Sequence, residues 1–425
     1  MATLLLSLLL AAALALLWQY LTRGTAVHTC RTLTDCEPVA IEDPRFLESI
    51  KLHTNTTMSR GNQVELLFNG EQTYDRLFEE LAGARTLITW QVFWFKPGRL
   101  AERVRQVLTE RARAGVKVLA LFDRVGANGI GDEYLDGLRA AGVEVTVFRP
   151  LHWSKLYKFQ HRSHMRTVVI DARVGYTGGF GIDDRWMGGG RAPDEWRDTN
   201  ARCRGPVVDQ LQAAFAANWA EATGQLMIGR DLFELDDGQQ AGPHEAGVLF
   251  AAPSYGSTVA ERFFAATIFA ARERLYLTNA YFVPDEGLQE VLRQAARRGV
   301  DVRVLTPGRN TDRMSTYHAG RPAQQVLLEA GVRIFEYGPG MVHAKTLVAD
   351  GMWSCVSTIN FDNRSMALND EVALLVRDAA IATELEDAFR ADLSFAREVS
   401  LEELRARPAT DRIKERLSRL VAPVL

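Results

Sequence analysis

Two stretches of this 425-residue chain carry the same three kinds of side chain at the same spacing. His343 is followed two residues on by Lys345 and, after four intervening residues, by Asp350; His164, Arg166 and Asp171 repeat that spacing in the other stretch. A neutral imidazole can attack phosphorus, and a cation held beside it can bind a phosphate oxygen. On a strand, residues i and i+2 project to one face, so His343 and Lys345 are expected to point together. One such trio is a weak signal, because three fixed residues recur by chance in long chains. Two trios can supply the two halves of one phosphoryl-transfer site. Each is followed by a small-residue turn, Gly178-Gly179 or Ser357-Thr358, and then by an acid, Asp198 in EWRDTNAR or Glu371 in NDEVALLV.

The elements around these residues repeat as well. Hydrophobic periodicity predicts strands at 64–70, 86–95, 116–123 and 143–148, alternating with helices at 74–84, 100–115 and around 132–141. The order restarts near residue 246, with strands at 247–253, 274–282 and 300–308 and helices at 258–271 and 288–299. RARAGVKVL and QAARRGVDVRVL read as one unit written twice. An internal repeat of this length implies two similar α/β domains, with helices on the faces of a sheet rich in parallel neighbours. The expected boundaries are 61–230 and 240–400.

The paired motifs inside a duplicated fold resemble the phospholipase D superfamily. The order of elements, the hydrophobic N-terminus and the block Asn360-Phe361-Asp362-Asn363-Arg364-Ser365, followed by Asn369 and Glu371, look most like bacterial cardiolipin synthases. The resemblance covers nearly everything after about residue 60 and implies a duplicated α-β-α sandwich with a pseudo-two-fold axis. It implies that one histidine attacks phosphorus to form a phosphohistidine, while the other protonates the departing alkoxide and then activates the incoming hydroxyl. Residue types leave open which one attacks; the resemblance favours His164. It further implies that Lys345 and Arg166 bind phosphate oxygens, that Asp198 and Glu371 each orient one histidine, and that Asp171 and Asp350 are structural supports. Asn360, Gly178, Gly179, Ser357 and Thr358 are implied as substrate-binding positions. Two departures fall in the first half: Arg166 replaces a lysine, and Gly181 stands where the second half has Asn360.

No metal or other cofactor is expected. His-Glu-x-x-His, Cys-x-x-Cys and a Walker-type phosphate loop are all missing from the sequence, and Lys345 would repel a cation beside His343. Asp183-Asp184 reads as a solvated turn, His161 as packing beside the motif, and His318 as lying in a loop before a helix. A formal net charge of −3 argues against a nucleic-acid partner.

Met1 to Trp18 is almost continuously apolar, about the minimum that spans a bilayer, and is read as the core of an anchor over residues 1–22, with a cleaved signal peptide and a buried helix as the rival readings. Arg23 and Arg31 follow that span, which favours cytoplasmic-facing catalytic domains at a bacterial inner membrane. Residues 23–60 read as a linker without periodicity. Cys30 and Cys36 are close enough in sequence to pair in an oxidising compartment. Leu151 to Phe159 interleaves aromatic and basic residues, as either an interfacial loop or a packed one would. Residues 401–425 read as an amphipathic helix, with Ile413, Leu417, Leu420 and Val421 on one face, which docks on the second domain or lies on a membrane.

The resulting expectation is a phosphatidyltransferase that joins two phosphatidylglycerol molecules and releases glycerol. The alternatives are a hydrolytic phospholipase D or a transferase using another alcohol, a nuclease of the same superfamily, and a non-catalytic lipid-binding scaffold.

Overall fold

The computed structural model describes residues 27–31, 38–150, 160–233, 240–253, 258–420 and 422. The anchor segment, Cys36 and Leu151–Phe159 lie outside them, so the anchor, the cysteine pair and the interfacial loop do too. Among the described residues no helix is long and apolar enough to cross a membrane.

The first half runs β1 (Ser59–Phe68), α2 (Asn69–Ala82), β2 (Leu87–Val92), α3 (Arg99–Arg113), β3 (Lys117–Asp123), α4 (Asp132–Ala140) and β4 (Glu144–Phe148). It continues with β5 (Arg166–Ile170), β6 (Val174–Gly178), β7 (Trp196–Arg197), β8 (Thr199–Arg204) and α5 (Val207–Thr223). A short helix, α1 (Arg45–Thr54), precedes it.

The second half begins with β9 (His244–Ala251), α6 (Val259–Ala270), β10 (Arg274–Asn279), α7 (Glu286–Arg297), β11 (Asp301–Thr306), α8 (Met314–Glu329) and β12 (Arg333–Tyr337). It goes on with β13 (Met341–Val342), β14 (Lys345–Ala349), β15 (Trp353–Ser357), β16 (Glu371–Arg377), α9 (Ala379–Leu393) and β17 (Ala396–Glu398). The last helices are α10 (Leu401–Arg405) and α11 (Ala409–Leu420).

One 15-stranded sheet runs through both halves. From its centre outward the first half reads β1-β8-β6-β5-β2-β3-β4 and the second β9-β16-β15-β14-β10-β11-β12, so the strands correspond position by position. β1 and β9 pair antiparallel at the centre, and β17 is added beyond β12. The local chemistry repeats with the topology. After α3 and α7 the chain turns through Gly115 and Gly299, both at positive φ, and Val116 and Val300 send their N–H back to Arg111 and Ala295.

A shared apolar core ties the halves together. Val208, Leu211 and Ala214 of α5 and Leu385 and Phe389 of α9 pack with Val169, Val248, Val348 and Val372 from strands of both halves. Strands such as β2 are buried throughout because helices cover both faces.

Several expectations need correcting. Among the described residues only β2–β3, β3–β4, β10–β11 and β11–β12 of this sheet pair parallel; the strands nearer the centre, including the hairpins β5–β6 and β14–β15, pair antiparallel. The supposed linker contains α1, whose Phe46 and Ile50 are buried; Phe46 meets Trp353 edge-on at 5.1 Å. His318 lies within α8, not in a loop before it.

The C-terminal segment is two helices, separated at Pro408. α11 packs on α8 with Ile413 and Leu417 56% and 60% exposed, while Glu415 is buried against Arg407 at 2.8 Å. The ion pair, not the apolar stripe, faces the protein. Asp183 and Asp184 are also more engaged than a solvated turn would be. Asp184 accepts the N–H of Arg99 and Leu100 at the start of α3, and Asp183 binds Arg185 and the Trp94 indole.

Candidate active site

The two motif histidines sit just before their strands, His164 ahead of β5 and His343 ahead of β14, rather than inside them. Each is fixed by the opposite half of the molecule. Val342 pairs with Arg197, and the His343 N–H donates to the Arg197 carbonyl at 2.7 Å. Ser163 bridges to Asp370, and the His164 N–H donates to the Asp370 carbonyl at 2.9 Å. The residue after each of those acceptors is the downstream acid, so the acids cross over. His164 Nδ1 lies 2.9 and 3.0 Å from the Glu371 oxygens, and His343 Nδ1 lies 3.0 Å from Asp198. With Nδ1 donating to a carboxylate, the Nε2 lone pair of each ring is turned away from its acid; that of His343 is approached by the Lys345 ammonium at 2.9 Å.

Both rings line one cavity of about 230 Å³. Burial and then the neighbouring cations hold both histidines well below their usual pKa, Arg166 leading for His164 and Lys345 for His343. Burial likewise lowers Lys345, to about 7. The acids differ. Burial would raise Asp198, but the hydrogen bond from His343, the charges around it and the Trp186 indole hold it below its usual range. For Glu371 burial prevails over Thr358, Ser365, Arg166 and Asn369 and pushes the carboxyl up to about 7.

Arg166 and Lys345 are both buried. Arg166 lines the cavity, donating to the carbonyls of His164 at 2.7 Å and Phe180 at 3.1 Å. The Lys345 ammonium stands 2.9 Å from both His343 ring nitrogens and donates to the His343 carbonyl at 2.6 Å.

Asp171 and Asp350 are placed away from the histidines. Asp171 collects the N–H groups of Arg85, Thr86 and Leu87, and Asp350 those of Arg272, Glu273 and Arg274. Each therefore locks the entry to the strand beside its motif strand.

Of the five substrate-binding candidates, Asn360 lines the cavity and the other four stand behind it. Gly179 leaves room for the Asp198 carboxylate, which any Cβ there would strike, and Gly178 adopts φ +140° beside Asn200. Thr358 donates its hydroxyl to Glu371, and Ser357 donates to the Lys345 carbonyl at 3.1 Å. Gly181 is explained by packing: a Cβ there would lie 3.0 Å from the Trp186 ring and 3.2 Å from Trp94. Trp186 thus stands against the place where an asparagine side chain would begin.

Trp186 and Trp196, each 5.0 Å from the His343 ring, were not legible from the motifs, nor were Tyr281, Arg162 and Arg313. Arg364 and Ser365 could have been found from the block that follows Asn360. His161 lies 3.1 Å from the Leu368 carbonyl, and His318 is not on the cavity wall. Among the described residues no cluster of three His, Cys, Asp or Glu side chains could hold a metal ion.

A family profile described as "Cardiolipin synthase, PLD-like domain" matches residues 264–393. The chain is 36% identical to cardiolipin synthase A of Pseudomonas fluorescens over 368 residues, covering 86% of this chain and 75% of that protein. It is 34% identical to cardiolipin synthase A of Pseudomonas syringae pv. syringae over 366 residues, with the same coverage. The crystal structure of phosphatidylserine synthase from Haemophilus influenzae superposes with a TM-score of 0.67 at 12% identity, over 89% of this chain and 99% of that one, a likeness of fold. At 36% identity over an alignment that covers 86% of this chain and 75% of its relative, this protein belongs to the cardiolipin synthase family of phospholipase D-like proteins.

Proposed function

We propose that this chain is a phosphatidyltransferase that makes cardiolipin from two phosphatidylglycerol molecules and releases glycerol. The observation that carries the reading is the crossed pair of histidine–carboxylate contacts opening on one cavity, beside Arg166 and Lys345. His164 attacks the phosphorus of the first lipid while His343 protonates the departing glycerol oxygen. The hydroxyl of the second lipid then attacks the phosphohistidine and gives its proton to His343. The unequal acids support this division of roles. Asp198, held ionised, stabilises the extra proton that His343 must carry; Glu371, poised near 7, does less to charge His164, as suits a nucleophile that must stay neutral.

The matching strand orders support reading residues 61–230 and 240–400 as two phospholipase D-like domains related by a pseudo-two-fold axis. Diacylated substrates place the work at a bilayer, and the reading includes an anchor over residues 1–22 at a bacterial inner membrane with the site facing the cytoplasm.

Incubating the purified protein with phosphatidylglycerol vesicles and resolving the products tests the reading. Cardiolipin with equimolar glycerol is expected. Phosphatidic acid alone would replace it with a hydrolase, cleavage of DNA with a nuclease, and an inert protein with a lipid-binding scaffold. The fold shared with phosphatidylserine synthase makes transfer to another alcohol the second reading, tested by adding serine and looking for its phosphatidyl ester.

A further inference from the structure

The cavity wall carries a polar atom that neither histidine explains. Asn369 is 5% exposed and lines the cavity. Its Nδ2 donates to Glu371 Oε1 at 3.2 Å, the same oxygen that His164 Nδ1 approaches at 2.9 Å. In the structure the amide nitrogen faces Glu371 and the amide oxygen points away from it, the arrangement that an ionised Glu371 selects because a carboxylate accepts hydrogen bonds and cannot donate them. Among the described residues no group donates to the Asn369 oxygen. A buried acceptor in that position is costly unless a ligand donates to it.

The chemistry of the donor follows from what else lines the cavity. A phosphate oxygen would be repelled by an amide oxygen. A cationic headgroup is disfavoured because the wall presents Arg162, Arg166, Arg313 and Arg364 against only Asp312 and Asp362, and burial raises Asp362 to about 6. A neutral hydroxyl remains. The position two residues before the other acid, Asp198, is Trp196, so the acceptor exists on one side of the site only.

Building on the phosphatidyl-transfer reading, we propose that Asn369 is the specificity subsite for a polyol headgroup, its Oδ1 accepting a hydrogen bond from a hydroxyl neighbouring the reacting one. In the transfer step the reacting alcohol oxygen bonds to phosphorus, the bond from phosphorus to the His164 nitrogen breaks, and the alcohol proton passes to His343. The next hydroxyl of the same alcohol reaches along the shared cavity to Asn369. Simple alcohols lack that second donor, and amino alcohols bring a charge that the arginines oppose.

The test is competition between soluble acceptors for one phosphoenzyme. The full-length protein is given phosphatidylglycerol with a headgroup label in detergent micelles, plus glycerol and 1-propanol at equal concentration, and the two phosphatidyl products are counted. Wild type is expected to favour glycerol, and Asn369→Leu to lose that preference by roughly tenfold, the size of one hydrogen bond to a buried acceptor. Both products draw on one intermediate, so general damage to folding or to Glu371 cancels in the ratio. Asn369→Ala, which removes the acceptor without adding bulk, should move the ratio the same way if the leucine variant is inactive. An unchanged ratio with both products reduced equally would mean that Asn369 only supports Glu371, and the subsite would be abandoned. A wild-type protein that phosphatidylates neither acceptor nor a second lipid fails at the earlier step and overturns the phosphatidyl-transfer reading itself.

Discussion

Around His343 the acid is Asp198, whose carboxylate also receives the Trp186 indole N–H at 2.8 Å and the Thr199 N–H at 2.8 Å. Around His164 the acid is Glu371, supported by the Thr358 hydroxyl and the Asn369 amide. Three aromatic rings, those of Trp186, Trp196 and Tyr281, approach His343 within 6.4 Å, whereas Phe93 at 5.0 Å is the ring that meets His164. The wiring is the same in both halves: an acid from one half holds the histidine of the other. What differs is how firmly each acid is ionised, and the proposed mechanism assigns the two histidines unequal parts in proton transfer to match. The strand orders of the two halves match; the two carboxylates, both fully buried, differ in the hydrogen-bond donors and charges around them.

The largest expected effect is common to both sides. His343→Ala and His164→Ala should each lower phosphatidyl transfer by at least about a thousandfold, because neither covalent nor proton-transfer chemistry has a substitute in the cavity. Substantial turnover by either variant would break the two-histidine scheme. The acids should then separate the halves. Asp198→Asn should cost roughly a thousandfold in kcat, as expected when the carboxylate that charges and orients a proton-carrying histidine is lost. Glu371→Gln should cost closer to tenfold to a hundredfold, since Glu371 is already partly protonated at neutral pH. Equal losses would remove the asymmetry.

The cations sharpen the comparison through pH. Glu371 becomes an anion as pH rises through about 7, whereas Lys345 loses its charge over the same range. If turnover needs the anionic acid and the cationic lysine together, the profile peaks near neutrality and falls on both sides. Lys345→Arg would keep its charge at high pH, as Arg166 does in the first half, so its alkaline limb should move upward while the acid limb stays. Rate profiles of the two proteins against pH decide this, and an unmoved alkaline limb would assign that limb to another group.

The motif trios were legible because their spacing survives any strand geometry, and the order of helices and strands because hydrophobic periodicity reports burial residue by residue. The pairing of acids with histidines was not. It depends on two short cross-half contacts, Met341–Val342 with Trp196–Arg197 and Ser163 with Asp370, which join residues far apart in sequence. Trp186 was hidden for a related reason. Its role exists only because Gly181 leaves its ring room, and nothing in the sequence near either residue records that fit. The C-terminal helix misled because Ile413 and Leu417 form an apolar stripe, while the buried partner of the protein is Glu415 with Arg407.

The smallest expected effects concern the aspartates that end each motif. The Asp171 carboxylate receives three consecutive backbone N–H groups and the Thr86 hydroxyl, and Asp350 receives three N–H groups at the matching turn. Neither lines the cavity, and each lies at positive φ, 53° and 50°, a strained geometry that these contacts stabilise. Removing the carboxylate should therefore act on stability and leave chemistry nearly intact. Asp171→Ala is expected to cost about 1–3 kcal/mol, the range for hydrogen bonds to a charged group, and to lower the melting temperature. Asp350→Ala should do the same in its own half. Measured well below the transition, kcat should stay within a few-fold of wild type for both, in contrast to Asp198→Asn. A collapse of kcat in a variant that melts normally would place the third residue of the motif in the chemistry and redraw the line between what holds this site and what reacts in it.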